Sequence, residues 1–270
     1  MSELTNSPAG EHPLNDFDPR SLEESVLKEM HLAAYNSAAA ELAGMRIVDV
    51  GCNHGYGSRI LAGSAGAVVG VDLSPKAIEL ARELNHSANL SFELSDAGRM
   101  PFADASFDAA VSFQVIEHIE DPRPYLREIR RVLKPGGKVI LTTPNRVARL
   151  APGQRPWNKY HIREYSAPEL SEALKPHFSE VALSGLYAQG ALYEIERARQ
   201  ERKRRKHSIP YLANLPHQLA YKLDRLLGWS EANYRRRLGG LPSYRDFFYR
   251  SMSGPQSLDD ALDLRADCKA

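Results

Sequence analysis

Residues 48–58 read VDVGCNHGYGS, a short apolar run that ends in a turn rich in glycine. Glycine adopts positive φ without steric cost and lets the backbone approach a ligand closely. Asn53 stands among Gly51, Gly55 and Gly57, and asparagine is a residue type with a side chain that tolerates the same backbone conformation. The stretch therefore predicts a tight turn between a first strand and a following helix.

Downstream of this turn, strand-like apolar runs alternate with amphipathic helical stretches. The alternation predicts strands over 46–50, 67–71, 90–94, 107–113 and 138–142, and helices that include 75–86 and 122–133. Neighbouring parallel strands need a long crossover, usually a helix, and such crossovers take one hand. We therefore predict an α/β fold with a doubly wound, mostly parallel sheet and helices on both faces.

The N-terminal segment differs from this repeating core. Residues 1–20 combine prolines with Ser, Asn and Gly, and we expect a flexible lead-in. Apolar residues at helical spacing follow over 21–44, with Gly44 as a stop, which predicts one or two helices before the core. His31 and Tyr35 lie one helical turn apart there. We interpret them as ordinary amphipathic-helix residues, with closure over a ligand as the alternative.

After residue 144 the alternation becomes looser. The sequence predicts a further helix over 168–175 and strands over 180–186 and 261–269. This pattern leaves a long excursion between the last two strands, which we expect to cover the mouth of a site. The predicted organisation is a cofactor-binding domain, 21–186 plus 256–270, interrupted by a basic helical insertion or lid, 187–255.

Acidic residues follow three successive predicted strands. In an open α/β sheet, ligands bind at the carboxyl ends of the strands where the strand order reverses. Asp72 ends the second strand and can accept both hydroxyls of a ribose, and Asp96 follows the third strand and can accept from a purine amino group. Asp49 would repel a pyrophosphate but suits an ammonium group. Together these acids predict a pocket for adenosine with a cationic amino-acid tail, although each acid alone could be a turn former or helix cap.

Four stretches carry a resemblance to a known family. VDVGCNHGYGS, VVGVDLS, SDAGRMPFADASFDAAVSFQVIEHIEDP and LREIRRVLKPGGKVILTTPN resemble, in order, the motifs of class I S-adenosylmethionine-dependent methyltransferases, the group around the ubiquinone and menaquinone biosynthesis enzymes. The resemblance implies a Rossmann-like methyltransferase fold with S-adenosylmethionine as cofactor. It implies a cofactor site with Asp49, Gly51 and Gly55 at the methionine moiety, Gln114 against the methionine end, Asp72 at the ribose, and Asp96 with Ala97 at the adenine. Asn53, which replaces the usual middle glycine, and Leu73 complete the predicted cofactor-binding set.

Three histidines are candidate bases, and His118 and His161 are favoured over His54 in the glycine-rich turn. Methyl transfer from a sulfonium requires alignment rather than a covalent residue, but a hydroxyl acceptor needs a base, and histidine serves at neutral pH. His118 follows the fourth predicted strand, and His161 lies in an aromatic and cationic loop. A packing role is the alternative for both. In resembling quinone O-methyltransferases the stretch E-x-x-E-H is associated with a divalent metal. Because Gln114 replaces the first glutamate here, we expect no metal.

The net charge of +1 conceals a basic segment. Residues 186–250 contain 14 Lys+Arg against 6 Asp+Glu, and seven of these cations lie within 197–206. Three interpretations stay open: a solvated helix face, recognition of an anionic acceptor, and peripheral contact with an acidic membrane surface. A nucleic-acid partner is disfavoured, since no RNA-binding motif accompanies the charge.

The remaining features concern compartment and reaction. Cys52 and Cys268 form no CxxC pair, and the chain starts without a basic end followed by an apolar stretch, so we expect a reducing cytoplasm. The predicted function is O-methylation of a small-molecule or glycan-type acceptor. N-methylation of a small metabolite, a non-catalytic adenosine-ligand-binding module and a nicotinamide dehydrogenase are the alternatives. The sequence makes no prediction of oligomeric state.

Overall fold

The computed structural model describes residues 22–208, 238–239, 241–251 and 258–270. Its strands are β1 (Arg46–Val50), β2 (Ala67–Asp72), β3 (Leu90–Leu94), β4 (Phe107–Phe113), β5 (Leu133–Pro144), β6 (Glu180–Ala188), β7 (Phe247–Ser251) and β8 (Asp263–Lys269). Its helices are α1 (Leu22–Glu41), α2 (Tyr56–Ala62), α3 (Pro75–Leu84), α4 (Pro122–Val132), α5 (Arg146–Arg149), α6 (Ala167–Leu174) and α7 (Gly190–Ser208). The predicted lead-in, 1–20, lies outside the described residues.

The helices begin where their sequences provide caps. Ser74 caps α3 by accepting a hydrogen bond from the Ala77 N–H, and Asp121 caps α4 in the same way; proline occupies the first turn of both helices. These caps satisfy backbone N–H groups that have no partner inside the helix. After α1 the chain turns at Gly44, which has a φ of 75°. The predicted helix boundaries at these points are confirmed.

The eight strands form one sheet in the order β3-β2-β1-β4-β5-β8-β6-β7. Strands β1 to β5 pair in parallel, whereas β8 lies antiparallel between β5 and β6. The predicted doubly wound, mostly parallel sheet is confirmed. Its strand order reverses between β1 and β4, so the ends of these two strands form the crevice in which such folds bind ligands.

Each face of the sheet has its own apolar core. On one face Leu42, directly after α1, and Leu61 of α2 pack against the sheet, and on the other face Ile129 of α4 and Leu170 of α6 do so. Each of these side chains is fully buried, which stabilises the fold by about 1.5–3 kcal/mol relative to leaving it in water. The packing of α1 against α2 and β4 also brings the Tyr35 hydroxyl to Asp49 near the end of β1.

The region predicted as a helical insertion, 187–255, is not helical throughout. Helix α7 begins it, but Phe247–Ser251 forms β7, which pairs antiparallel with β6 at the edge of the sheet. The stretch FFYRS is rich in aromatic strand formers, and the prediction gave weight only to the surrounding basic charge. The rest of this region, 209–237, 240 and 252–255, lies outside the described residues. Its role as a lid stays a prediction.

Among the helices that the structure describes, none has the length and apolar character to cross a membrane.

Candidate active site

The turn after β1 takes the backbone conformation that its sequence predicts. Gly51, Asn53 and Gly55 have φ values of 81°, 47° and 76°. Space is also restricted: a Cβ at Gly51 would lie 2.4 Å from Cγ2 of Val115, and one at Gly55 would lie 2.5 Å from Cζ of Phe92. Glycine at these two positions therefore satisfies both a conformation and a close approach.

Asp72 ties this turn to the end of β2. Its carboxylate accepts hydrogen bonds from the N–H of Asn53 (3.0 Å) and the N–H of Ser74 (2.9 Å). Burial raises the pKa of Asp72, and the two backbone N–H groups oppose that shift. A carboxylate has about four acceptor positions, so these backbone groups leave part of its accepting capacity available. The side chain of Leu73, next to it, is 51% exposed.

Asp96 and Ala97 lie beyond β3 on the same edge of the sheet. The Asp96 side chain is exposed, and its Oδ1 accepts from the Gly98 N–H at 2.8 Å. A hydrogen bond to the backbone two residues further along the chain is the contact by which aspartate stabilises a turn. The exposed carboxylate has further acceptor positions beyond this hydrogen bond.

Asp49 is fully buried at the end of β1. It accepts a hydrogen bond from Oγ of Ser58 (2.6 Å) and lies 3.3 Å from the hydroxyl of Tyr35. Burial raises the pKa of Asp49 to about 7, although these hydrogen bonds oppose the shift. Tyr35 is buried as well. Tyr35 packs in the apolar core on this face, as expected of an amphipathic-helix residue, and its hydroxyl in addition reaches a predicted site residue.

Gln114 joins the end of β4 to β8. Its φ is 58°, and its Nε2 donates to Oδ2 of Asp263 (3.1 Å) and to Oγ1 of Thr142 (3.3 Å). Asp263 is buried at the start of β8, and burial raises the pKa of its carboxyl to about 8. The amide of Gln114 thus contacts a buried acid, Asp263. No role was predicted for Asp263 beyond its position in a predicted strand.

The two predicted catalytic histidines come together. The ring centroids of His118 and His161 are 4.8 Å apart, with the rings edge to face. Nδ1 of His118 lies 3.0 Å from the carbonyl oxygen of Tyr160, and Nδ1 of His161 lies 2.9 Å from Oε1 of Glu164. Glu164 in turn pairs with Arg149. Burial lowers the pKa of His161 below its usual value.

Glu117 lies beneath this histidine pair. Its carboxyl is fully buried, and burial raises its pKa to about 8. Oε2 accepts from Oγ1 of Thr143 at 3.0 Å, whereas Oε1 has no hydrogen-bond partner among the residues that the structure describes. The backbone carbonyl of Glu117 also accepts from the N–H of Ile162, which fixes the His161 loop against the end of β4.

The basic run at 197–206 is not uniformly solvated. Arg199 is buried and pairs with Glu196 within α7. The amino group of Lys203 lies 5.9 Å from the ring centroid of Trp157, and Arg149 lies 4.7 Å from the same ring. Arg205, by contrast, is exposed and pairs with Glu201. The interpretation of this run as a solvated helix face therefore applies to only part of the segment that the structure describes.

Sequence reasoning missed the buried acids of this site. Glu164 lies three residues after His161 and Glu117 directly precedes His118, and these spacings were the available signals. Asp263 gave a weaker signal, an acid at the start of an apolar strand. The structure therefore places positive-φ turns on the β1–β3 side, with buried Asp49, half-buried Asp72 and exposed Asp96, and a group of buried acids and imidazoles beyond β4.

Comparisons with known proteins agree with this geometry. A family profile described as a methyltransferase domain matches residues 48–141. A protein of Mycolicibacterium smegmatis named "Probable S-adenosylmethionine-dependent methyltransferase" is 33% identical over 180 residues, which are 66% of this chain and 69% of that protein. A ubiquinone biosynthesis O-methyltransferase of Xanthomonas oryzae pv. oryzae is 32% identical over 197 residues, 66% of this chain and 79% of that protein.

A solved structure shows the same fold. It is the structure of an S-adenosylmethionine-dependent methyltransferase from Thermotoga maritima. The structural match covers 90% of this chain and 90% of that chain, with a TM-score of 0.56 and 18% sequence identity. Together, the profile, the relatives and the crevice show that this chain belongs to the S-adenosylmethionine-dependent methyltransferases. It is an enzyme of that class, and S-adenosylmethionine is its cofactor.

Proposed function

We propose that this methyltransferase transfers its methyl group to an oxygen atom of a small-molecule or glycan-type acceptor. The observation that carries the proposal is the pair of imidazoles, His118 and His161, held edge to face just beyond β4. The similarity to proteins named ubiquinone biosynthesis O-methyltransferase supports the same reaction type.

The cofactor would lie across the ends of β1 and β2. In this proposal Asp72 binds the ribose with the acceptor positions that Asn53 and Ser74 leave available, and exposed Leu73 offers apolar surface to the adenosine. Asp96 would accept from the adenine amino group. The positive-φ turn at Gly51 lets the methionine moiety pass close to the backbone, with Asp49 beneath it as the acid nearest the ammonium group.

His161 has the properties of a base for a hydroxyl acceptor. Burial alone would raise the pKa of Glu164, but Arg149 and His161 bring it below its usual value, so the carboxylate is ionised at neutral pH. An ionised carboxylate can only accept, and therefore Nδ1 of His161 donates to it and Nε2 is the basic nitrogen. Because its pKa is lowered, the imidazole is neutral at pH 7 and competent to take a proton.

The reaction itself places few other demands on the chain. The methyl group moves in line from sulfur to oxygen, so the positive charge on sulfur disappears as the new bond forms. A crevice that excludes water keeps the two reactants aligned. In this proposal the described turns of α7, which carry Lys203 beside Trp157 in the His161 loop, cover the acceptor and recognise an anionic group on it.

The most informative experiment incubates cell extracts with the protein and methyl-deuterated S-adenosylmethionine and identifies the labelled product by mass spectrometry. We expect one dominant product with the label on oxygen. The matched control is Gly51→Ala, whose Cβ would collide with Val115. Label on nitrogen would contradict the proposed acceptor atom. Cofactor binding by titration without any labelled product would favour a non-catalytic adenosine-ligand-binding module.

A further inference from the structure

The start of β8 lies at the carboxyl edge of the sheet, next to the end of β4. Strand β8 is antiparallel to β5, so its first residue, Asp263, pairs with Pro144, the last residue of β5. The Asp263 side chain is 8% exposed, and its Oδ2 accepts from Nε2 of Gln114, directly after β4, at 3.1 Å. The carboxyl of Asp263 therefore lies where the proposed function places the acceptor.

This carboxyl has hydrogen-bonding capacity that the chain leaves unused. Gln114 donates to Oδ2, and the residues that the structure describes supply no hydrogen bond to Oδ1. Burial raises the pKa of Asp263 to about 8, so the carboxyl is mainly protonated at neutral pH. Because Oδ2 accepts from Gln114, the proton belongs on Oδ1. Asp263 thus offers an O–H donor to a neighbouring molecule.

Helix α7 brings a second unsatisfied group to the same region. It follows β6, where Leu186 pairs with Asp263. Glu196 of α7 is close enough to Asp263 to raise the pKa of its carboxyl, and Gln200 lies one turn further along the same helix face. Gln200 is 1% exposed, and its Oε1 has no hydrogen-bond partner within the described parts of the chain. Native structures usually satisfy such a buried atom, and a donor on a bound molecule would do so.

The charged groups around Asp263 and Gln200 neutralise one another. Arg149 pairs with Glu164, which is buried. Arg199 pairs with Glu196, and both of these side chains are buried. A charged group that enters such surroundings loses its hydration, and this cost is offset only where a partner of opposite charge is available. This wall therefore suits an uncharged group with hydroxyls better than a carboxylate or an ammonium.

We propose that Asp263 and Gln200 bind the acceptor and select an uncharged, hydroxyl-rich group, a sugar or polyol, over an aromatic or charged one. Asp263 would donate to one acceptor oxygen, and Oε1 of Gln200 would accept from a hydroxyl. The inference rests on the proposed function and deepens it, since His161 remains the base for the hydroxyl that is methylated. An anionic group recognised by Lys203 would then be a separate part of the acceptor, further along α7.

The first test identifies the class of the acceptor. The full chain is incubated with a cell extract and methyl-deuterated S-adenosylmethionine, and the labelled product is identified by mass spectrometry. We expect the dominant product to be a methyl ether of a sugar or polyol. A labelled aromatic ether or carboxylate ester as the dominant product would overturn the inference and leave transfer to oxygen intact. Label on nitrogen, or no labelled product, would instead contradict the proposed function.

The second test measures kinetics with the acceptor that the first test identifies. Gln200→Leu should raise the acceptor KM about 2–10-fold, the usual effect of one hydrogen bond, and leave kcat within about twofold. Its thermal unfolding temperature should be equal or higher, because leucine removes a buried atom that has no partner. Asp263→Leu should raise KM to a similar extent, whereas Asp263→Asn, which keeps a donor, should largely restore it. The matched control is Glu194→Gln, exposed on the same helix, which should leave KM unchanged.

S-adenosylmethionine affinity, measured on every variant, shows whether the variant is folded. If Gln200→Leu and Asp263→Leu retain this affinity and their acceptor KM equals that of the unmodified chain, the inference is wrong and the proposed function stands. A loss confined to kcat, or a loss that Asp263→Asn does not restore, would also contradict acceptor binding by these side chains.

Discussion

In the proposed function the crevice has a cofactor side, at the ends of β1 to β3, and an acceptor side, beyond the end of β4. The two sides differ in the groups that form them. On the cofactor side, the turn after β1 presents backbone in positive-φ conformations, and Asp72 accepts hydrogen bonds from the N–H of Asn53 in that turn and from the N–H of Ser74 after β2. On the acceptor side, ionisable side chains from distant segments lie buried against one another, among them Glu164 and Asp263. The first side therefore depends on backbone conformation, and the second on electrostatics in a low-dielectric interior.

This difference predicts different responses to mutation. A change in the glycine-rich turn of the cofactor side should alter cofactor affinity with little change in the pH dependence of folding. A change on the acceptor side should alter turnover, stability and their pH dependence, because buried charges are costly when they lose a partner.

The largest effect is expected at His161. His161→Gln should reduce turnover by about 10²–10⁴-fold, the usual contribution of a general base, and should leave S-adenosylmethionine affinity within about twofold. In the unmodified enzyme, turnover should rise with pH through a pKa below 6.5, because burial lowers the pKa of this imidazole and the neutral form is the base. Rate measurements across pH check both, with His177→Gln as the control. An equal loss of turnover in both variants would contradict a catalytic role for His161.

The next effect concerns the ion pair behind that histidine. Arg149→Met leaves the fully buried Glu164 without its cation, and breaking a buried pair in this way costs about 3–5 kcal/mol. The matched control is Arg146→Met in the same helix, since the pair of Arg146 and Glu169 is well exposed and is worth about 0–1 kcal/mol. Urea unfolding followed by circular dichroism measures both. Similar losses for the two variants would show that the burial of Glu164 does not determine stability.

Asp263 gives a pH-dependent prediction. Its folded-state pKa is raised from 3.8 to about 8, so the folded chain binds this proton more tightly than the unfolded chain does. The stability of the unmodified protein should therefore fall as pH rises from about 4 toward 8. Asp263→Asn has no titratable group at this position, so its stability does not fall in this way. The stability of the variant minus that of the unmodified chain should therefore increase by roughly 2–4 kcal/mol as the pH rises from 5 to 8. A relative stability that is constant with pH would contradict the raised pKa.

The smallest effect lies on the cofactor side, at Tyr35. Its hydroxyl is 3.3 Å from Asp49, a long hydrogen bond, so Tyr35→Phe should destabilise the fold by about 1 kcal/mol or less. Ser58→Ala removes a shorter bond to the same carboxylate, 2.6 Å, and should cost more, about 1.5–3 kcal/mol. Thermal unfolding compares the two variants. The reverse order would show that hydrogen-bond length does not rank these contacts.

The same contrast explains what the sequence could predict. Strands β1, β3 and β4 were predicted with their observed bounds, because apolar runs and turn residues are local signals. The cofactor turn was predictable for the same reason, since glycine and asparagine mark positive φ in a single sequence. Strand β7 was missed because its aromatic residues, inside a basic segment, showed no clear alternation of apolar and polar positions.

The acceptor side could be predicted only in part. His118 and His161 were identified by residue type, but their contact and the roles of Glu117 and Glu164 depend on how the loop before α6 folds back onto the end of β4. Asp263 reaches Gln114 only because β8 inserts between β5 and β6. Such contacts follow from tertiary packing, and spacing along the chain carries no information about them.

The central claim is that S-adenosylmethionine lies across the ends of β1 and β2, with its methyl group directed toward the histidine pair. A crystal structure of the full chain with S-adenosylhomocysteine, the product of the cofactor, tests it most directly. We predict density beside Gly51, with the ribose hydroxyls bound to Asp72 and the sulfur facing His118 and His161. Density for the compound elsewhere on the chain, with this crevice empty, would contradict the account.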